Sequence, residues 1–240
     1  MKYQRGVALL LVLWVLALLS SLLAGLAGWV HLQNRQALWQ RQHTEGILAA
    51  EAGLSLAVVA LTERNPAARW RADGQPHSLR FNDTALSVSV RSERGKLDLN
   101  AAMASDVARV LKASGATPAQ ADELSHALDQ RRGAGQAPLR MLEELRELPG
   151  MSQGLYRQVL PYLTLWSGEA RPDPALVSAS LGRALGLPRS NSLGSEPGPI
   201  VTVRTRAILP GGYTTTLRVT LLLNPSKEGA RPYRVLRWQE

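Results

Sequence analysis

From Val7 to Val30 the chain runs 24 consecutive residues without a charge, between Arg5 on one side and Arg35 on the other. A run of this length exceeds the roughly 20 helical residues that cross a hydrocarbon core of about 30 Å. It is also too long, and its leader too short, for a secretory signal with an apolar region of about 7–15 residues. The helical pattern continues beyond it. Ile47, Ala50, Leu54, Ala57 and Leu61 recur at three- and four-residue steps, which predicts one apolar face. Gln33, Asn34, Gln36, Gln40, Gln42 and Glu45 fill the solvated stretch before that stripe, and Asn65-Pro66 ends it. One helix from about Val7 to Glu63 would be roughly 85 Å long at 1.5 Å per residue. Its first half suits lipid and its second half a folded head.

The period then changes to two. Leu86, Val88 and Val90 alternate with Ser87, Ser89 and Arg91, predicting a half-buried strand, with a partner at Ser78–Phe81 joined through the turn-prone Asn82-Asp83. Gly95–Asn100 reads as a short strand that delivers Asn100 as a helix cap. Helices are expected over Ala101–Ala113, closed by Gly115, and from a Thr117 cap with Pro118 in its first turn to Arg131-Arg132, where Gly133 suits a left-handed C-terminal position. A Gly/Ala/Gln loop leads to Leu142–Leu148. Pro149-Gly150 turns tightly, and a last helix covers about Gln153–Tyr162. Leu142, Leu145, Leu148, Met151, Leu155, Val159 and Leu163 would be the core of this unit. A helical piece near Ala175–Leu185, a Ser/Gly/Pro-rich loop over Pro188–Pro199, and strands at Val201–Leu209, Tyr213–Leu223 and Tyr233–Trp238 complete the chain. Strands on both sides of a helical block suggest one sheet with a helical insertion, packed on the long helix.

Charge changes this picture little. The net charge is +9, yet residues 100–166 hold seven basic and seven acidic side chains, and no block of like charge stands out. The excess reads as solubilising surface. With no cysteine, disulfides and thiolate metal sites are excluded. His31, His43, His77 and His126 show no metal-ligand spacing, Val90 stands where a phosphate loop at Gly95-Lys96 would need glycine, and no Gly-x-Ser-x-Gly elbow occurs. An enzyme is not expected. Asp98, Asn100 and Glu196 are the sparse oxygen donors a hard cation would have. The sharpest local motif is Leu142–Met151, which resembles a helix-hairpin-helix around Leu148-Pro149-Gly150, a turn that offers backbone N–H groups to phosphate. Residues 139–166 balance Arg140, Arg146 and Arg157 against Glu143, Glu144 and Glu147, which is no basic footprint for nucleic acid.

Arg5-Gly6-Val7-Ala8-Leu9-Leu10 resembles a prepilin leader junction. With Ala49-Ala50-Glu51-Ala52-Gly53, Gly95–Asn100, Leu142–Gly150, Pro161-Tyr162-Leu163-Thr164 and Tyr233–Trp238 in that order, nearly the whole chain resembles the minor pseudopilin of type II secretion called protein K of the general secretion pathway. That resemblance implies an α+β fold, with a pilin-like long N-terminal helix on an antiparallel sheet and an inserted small all-helical domain of SAM-like or helix-hairpin-helix-like type. The implied division is leader 1–6, membrane part 7–30, head 31–99, inserted domain 100–166, helix and loop 167–199, and closing strands 200–240. It further implies cleavage after Gly6, N-methylation of Val7, and a single-pass inner-membrane subunit with a periplasmic head. The implied place is the tip of the pseudopilus, and the implied role is to initiate assembly and support export of folded proteins. The implied partners are two other minor pseudopilins, the major pseudopilin, the prepilin peptidase and the inner-membrane assembly platform.

No cofactor is expected, and the calcium that the family suggests falls on no named residues, since Ala175–Ala179 lacks the expected Asn-rich opening. The chain is also short for the family. Counted from Val7, the fifth residue is Leu11, where most pilins carry glutamate; its absence suits a subunit with no neighbour above it. A minor pilin of type IV pili and a membrane-tethered hairpin DNA-binding protein are the alternative readings.

Overall fold

The computed structural model describes residues 4–133, 137–188, 196–224 and 232–240; the first three residues and the expected loops through 134–136, 189–195 and 225–231 lie outside them. Helix α1, Gln4–Leu61, has 58 residues, about 87 Å at the standard rise. It ends two residues short of Glu63 because Thr62 turns its hydroxyl onto the Val58 carbonyl and Glu63 accepts the Asn65 N–H.

Strands β1 (Asp73–Phe81) and β2 (Thr84–Ser92) form a hairpin whose two-residue turn holds Asn82 at φ 50°, a conformation asparagine tolerates. From β2 the chain leaves the sheet and returns at β5 (Ile200–Ile208), followed by β6 (Thr214–Leu223) and β7 (Tyr233–Gln239). The sheet order is β1-β2-β5-β6-β7, and every pairing is antiparallel. Val88, Val90, Val201, Val203, Leu217, Val219 and Leu221 turn one face of the sheet onto Ala50, Leu54, Ala57 and Val58 of α1. Small residues set that distance. A Cβ on Gly53 would lie 2.6 Å from Thr205 Cγ2.

The helices between β2 and β5 pack around a second apolar cluster, drawn from Leu97 to Leu187. Its entry and exit are joined by a parallel pair, β3 (Leu97–Asp98) with β4 (Leu163–Thr164). The helices between are α2 (Ala104–Ala113), α3 (Pro118–Gly133) and α4 (Gln153–Val159), with α5 (Ala179–Leu185) packing on α2. Leu142, Leu145, Leu155, Val159 and Leu163 are buried in this cluster, and Leu148 and Met151 pack against it half-buried. Thr117 caps α3 by accepting the Gln120 N–H at 3.2 Å, and Gly115 closes α2 at φ +100°.

Three expectations are corrected. Asn100 is not a helix cap. The buried Asp98 accepts the Asn100 N–H and its carbonyl accepts those of Ala101 and Ala102, so the turn delays α2 to a Met103 cap without a side-chain bond. The Asn100 side chain instead clasps Leu139, donating to its carbonyl and accepting its N–H. Gly133 is the last residue of α3 and is not among the left-handed glycines. The final helical stretch breaks at Leu160, where Pro161 tightens it into a 3-10 turn.

Candidate functional site: the anchor helix, the hairpin and an arginine-floored cleft

Three features carry candidate chemistry. The first is the membrane end of α1. Gly6 and Val7 lie in its opening turns, and Leu11 follows on the same helix with 62% of its surface exposed. Leu13, Trp14, Leu18, Leu22, Leu26 and Trp29 are likewise more than half exposed, so an apolar surface runs around the whole helix. A helix apolar on all sides and covered by nothing is suited to lipid rather than to water. It is long and apolar enough to cross a membrane.

The second is the hairpin. Leu148, Pro149, Gly150 and Met151 form a turn with Gly150 at φ +85°, and the Met151 N–H donates to the Leu148 carbonyl at 3.1 Å. Proline followed by a positive-φ glycine is the sequence of a type II turn. The N–H groups that a phosphate would use are partly spent. Met151 closes the turn, and Leu155 donates to the Ser152 cap at 3.1 Å. The Arg146 guanidinium sits over the Tyr156 ring, 5.7 Å from its centre. Gln120 donates to the Gly150 carbonyl at 2.8 Å, tying the hairpin to α3. Here the motif packs helices together. Just upstream, Glu144 accepts the N–H groups of Arg140 and Met141, which holds its carboxyl below the ordinary range.

The third feature was not legible as a site. A cleft of about 510 Å³ opens between the outer face of the sheet and the inserted helices. Antiparallel pairing sets Arg204 of β5 opposite Arg218 of β6, with Ser89 and Gln239 continuing the row; Arg206 lies one row toward α1's membrane end, and Arg91 and Arg237 one row beyond. Arg91, Lys96, Arg204, Arg206, Arg218 and Arg237 line the cleft, and among the described residues no Asp or Glu does. Two of the six are partnered. Lys96 donates to Glu93 at 2.5 Å, and Arg237 pairs with Glu143. The side chains of the other four, Arg91, Arg204, Arg206 and Arg218, have no ion pair or hydrogen bond among the described residues. Burial, with Arg204 and Arg237 adding repulsion, pushes the Arg218 guanidinium below its ordinary value. Glu93 is fully buried beneath the floor; Thr202 and Lys96 bind its Oε1, while its Oε2 has no partner. The opposite wall presents Leu160, Pro161 and Leu176 beside the hydroxyl-bearing Tyr162, Ser178 and Ser180.

Asp98 and Asn100, two of the three oxygen donors named for a cation, are engaged otherwise. Asp98 accepts from Asn100 N–H, Gly168 N–H and the Ser167 hydroxyl, a ring of donors that disfavours a metal ion. Among the described residues no group of three His, Asp or Glu could hold a metal. His43 meets the Tyr213 hydroxyl at 3.1 Å, and His77 stacks on Trp70.

No family model matches the chain, and no curated protein does. Among solved structures, a chain in the GspK-GspI-GspJ complex of the type II secretion system from enterotoxigenic Escherichia coli has a similar fold. It matches with a TM-score of 0.56 at 12% identity, covering 85% of this chain and 98% of that one. The α+β architecture of a long N-terminal helix on a five-stranded antiparallel sheet with added helices is therefore a pilin-like fold.

Proposed function

We propose that this chain is a minor pseudopilin of a type II secretion system. The observation that carries the reading is the likeness in fold, over nearly all of both chains, to a subunit of a three-pseudopilin complex. The exposed apolar helix opening at Arg5-Gly6-Val7 supports it independently. In this reading residues 1–6 are removed on the cytoplasmic face, Val7 becomes an N-methylated first residue, and 7–30 hold the subunit in the inner membrane. Residues 31–99 and 200–240 form the periplasmic head, 100–166 the inserted unit, and 167–199 the connection. The role is assembly, without catalysis. The head joins two other minor pseudopilins at the pseudopilus tip and initiates the filament that supports export of folded proteins.

Leu11 supports the tip position on physical grounds. A carboxylate in lipid without a partner is costly, and a subunit with nothing above it has no neighbouring amine to offer one. The major pseudopilin, the prepilin peptidase and the inner-membrane platform complete the proposed partners.

Intact mass of the native protein, purified from membranes with whatever travels with it, tests the reading. A first residue Val7 carrying one methyl group, with two further pilin-like chains in the preparation, is the expected result. Retention of Met1 and Lys2 would remove the filament role and leave a tethered domain. Association with pilus subunits alone would favour a type IV pilus, and salt-sensitive retention on duplex DNA would favour the hairpin reading.

A further inference from the structure

The arginine floor of the cleft is held against an electrostatic cost. Like charges directly opposite on neighbouring strands destabilise a sheet, and the Arg204–Arg218 pair is such a contact, with Arg206 one row away. Here the inserted helices overhang the face: Arg204 and Arg206 stay exposed within the cleft, and the half-buried Arg218 side chain has no ion pair or hydrogen bond among the described residues.

We propose that the cleft binds an acidic, partly apolar segment of a partner protein, its carboxylates meeting Arg204, Arg206 and Arg218 and its apolar side chains the wall at Leu160 and Leu176. Arginine clusters recognise acidic motifs through charge-assisted, often bidentate bonds. Other occupants fit less well. Gly53 packs on Thr205, beside Arg204, and lies 23 residues beyond Val30, about 35 Å along the helix axis. That exceeds the Debye length of about 8 Å several-fold, so a lipid surface at the anchor is screened from the floor. A single nucleic-acid strand is held mainly by stacked aromatics, and among the described residues Tyr162 is the one aromatic in the lining. A second copy has little to offer: its densest acidic run is Glu143, Glu144 and Glu147, and Glu143 and Glu144 are already paired with Arg237 and Arg131.

The test uses the full chain in detergent and a fluorescein-labelled (Glu-Leu)5 peptide followed by anisotropy. Binding that weakens as salt rises is expected, with a (Lys-Leu)5 peptide inert. Arg204→Gln with Arg218→Gln should lower affinity about tenfold or more, while Arg35→Gln with Arg64→Gln, on α1 and just past its end and so across the sheet from the cleft, leaves it unchanged. In the unsubstituted protein, the peptide should protect Arg204 and Arg218, but not Arg64, from phenylglyoxal, a readout independent of how the variants fold. Absence of binding at low salt, equal loss in the control pair, or unprotected Arg204 and Arg218 overturns the proposal. So does tighter binding of an oligo-dT strand at the same arginines, or displacement of the peptide by millimolar inorganic phosphate, which would make this a nucleic-acid or a small-anion site.

Discussion

Gly95 stands at the point where the chain leaves the sheet for the inserted helices, and its missing side chain is what lets the two parts meet. Its backbone is not left-handed, so conformational freedom does not explain it. Space does. A Cβ there would lie 2.3 Å from the Leu176 carbonyl oxygen and 2.7 Å from its carbon, both backbone atoms with no rotamer to yield. Gly95→Ala must push the 173–177 segment away from the 3-10 turn Glu93–Gly95. The Asp173 N–H bond to the Arg94 carbonyl, 2.8 Å, is the contact next in line. Overpacking of this kind costs about 1–3 kcal/mol. Loss of the hydrogen bond adds about 1 kcal/mol. The reduced freedom of the unfolded alanine chain returns about 0.4–1 kcal/mol. The net is about 1–3.5 kcal/mol. For a chain of this size that lowers the melting midpoint by roughly 2–14 °C at about 2–4 °C per kcal/mol. Thermal melts of the full chain in detergent, followed by far-ultraviolet circular dichroism, measure it. Gly133→Ala is the matched control, since a Cβ there meets nothing within 4 Å and alanine favours the helix. A Gly95→Ala protein that melts with the parent would show that the 173–177 segment has no defined seat on the turn.

Four further outcomes are expected. Asp106 is fully buried between Arg109 and Arg171, so Asp106→Ala strands two cations and should cost about 3–5 kcal/mol in urea unfolding. Thr205 Oγ1 is buried under α1 without a partner, so Thr205→Val, which keeps the shape and removes the orphan, should raise stability by about 1 kcal/mol or more in the same assay. The depressed Glu144 carboxyl contributes stability that is complete above its unfolded value of about 4.3 and fades as pH falls through its lower folded value. A titration of the parent against Glu144→Ala should therefore converge in strong acid and diverge toward neutrality. Leu11→Glu should impair filament initiation and secretion in the native host, and unchanged secretion would strip Leu11 of any bearing on tip position.

What could be read from the residues was whatever repeats locally. The uncharged run Val7–Val30, the stripe Ile47–Leu61 and the alternation at Leu86–Val90 and Tyr213–Leu223 each state their element within a few residues, and each is present. Pro149-Gly150 and Thr117-Pro118 were legible because a turn and a cap are chemistry between near neighbours. Asn100 was misread because its partner, Leu139, lies 39 residues away; nothing near it in the chain distinguishes a cap from a clasp. Gly95 could be seen as part of a motif but not as a contact with Leu176, for the same reason.

The cleft shows most clearly what a one-dimensional reading loses. Arg91, Arg204, Arg206, Arg218 and Arg237 are spread over 147 positions, and no block of like charge marks them in the chain. Alternation alone says that Arg204 and Arg206 point to the same side of β5, because side chains alternate across a strand. Register does the rest. Strand β5 lies between β2 and β6, so the outward side chains of three separate segments fall into adjoining rows, and the Arg204–Arg218 contact exists in only one register. A slip of one residue would turn those arginines into the apolar interface with α1, where a buried unpaired cation is prohibitive. The same alternation that fixes the core against α1 therefore compels the basic face. An even spread of positive charge along such a chain is thus consistent with a concentrated field on the folded molecule, and the peptide and phenylglyoxal measurements on Arg204 and Arg218 decide whether that field has a ligand.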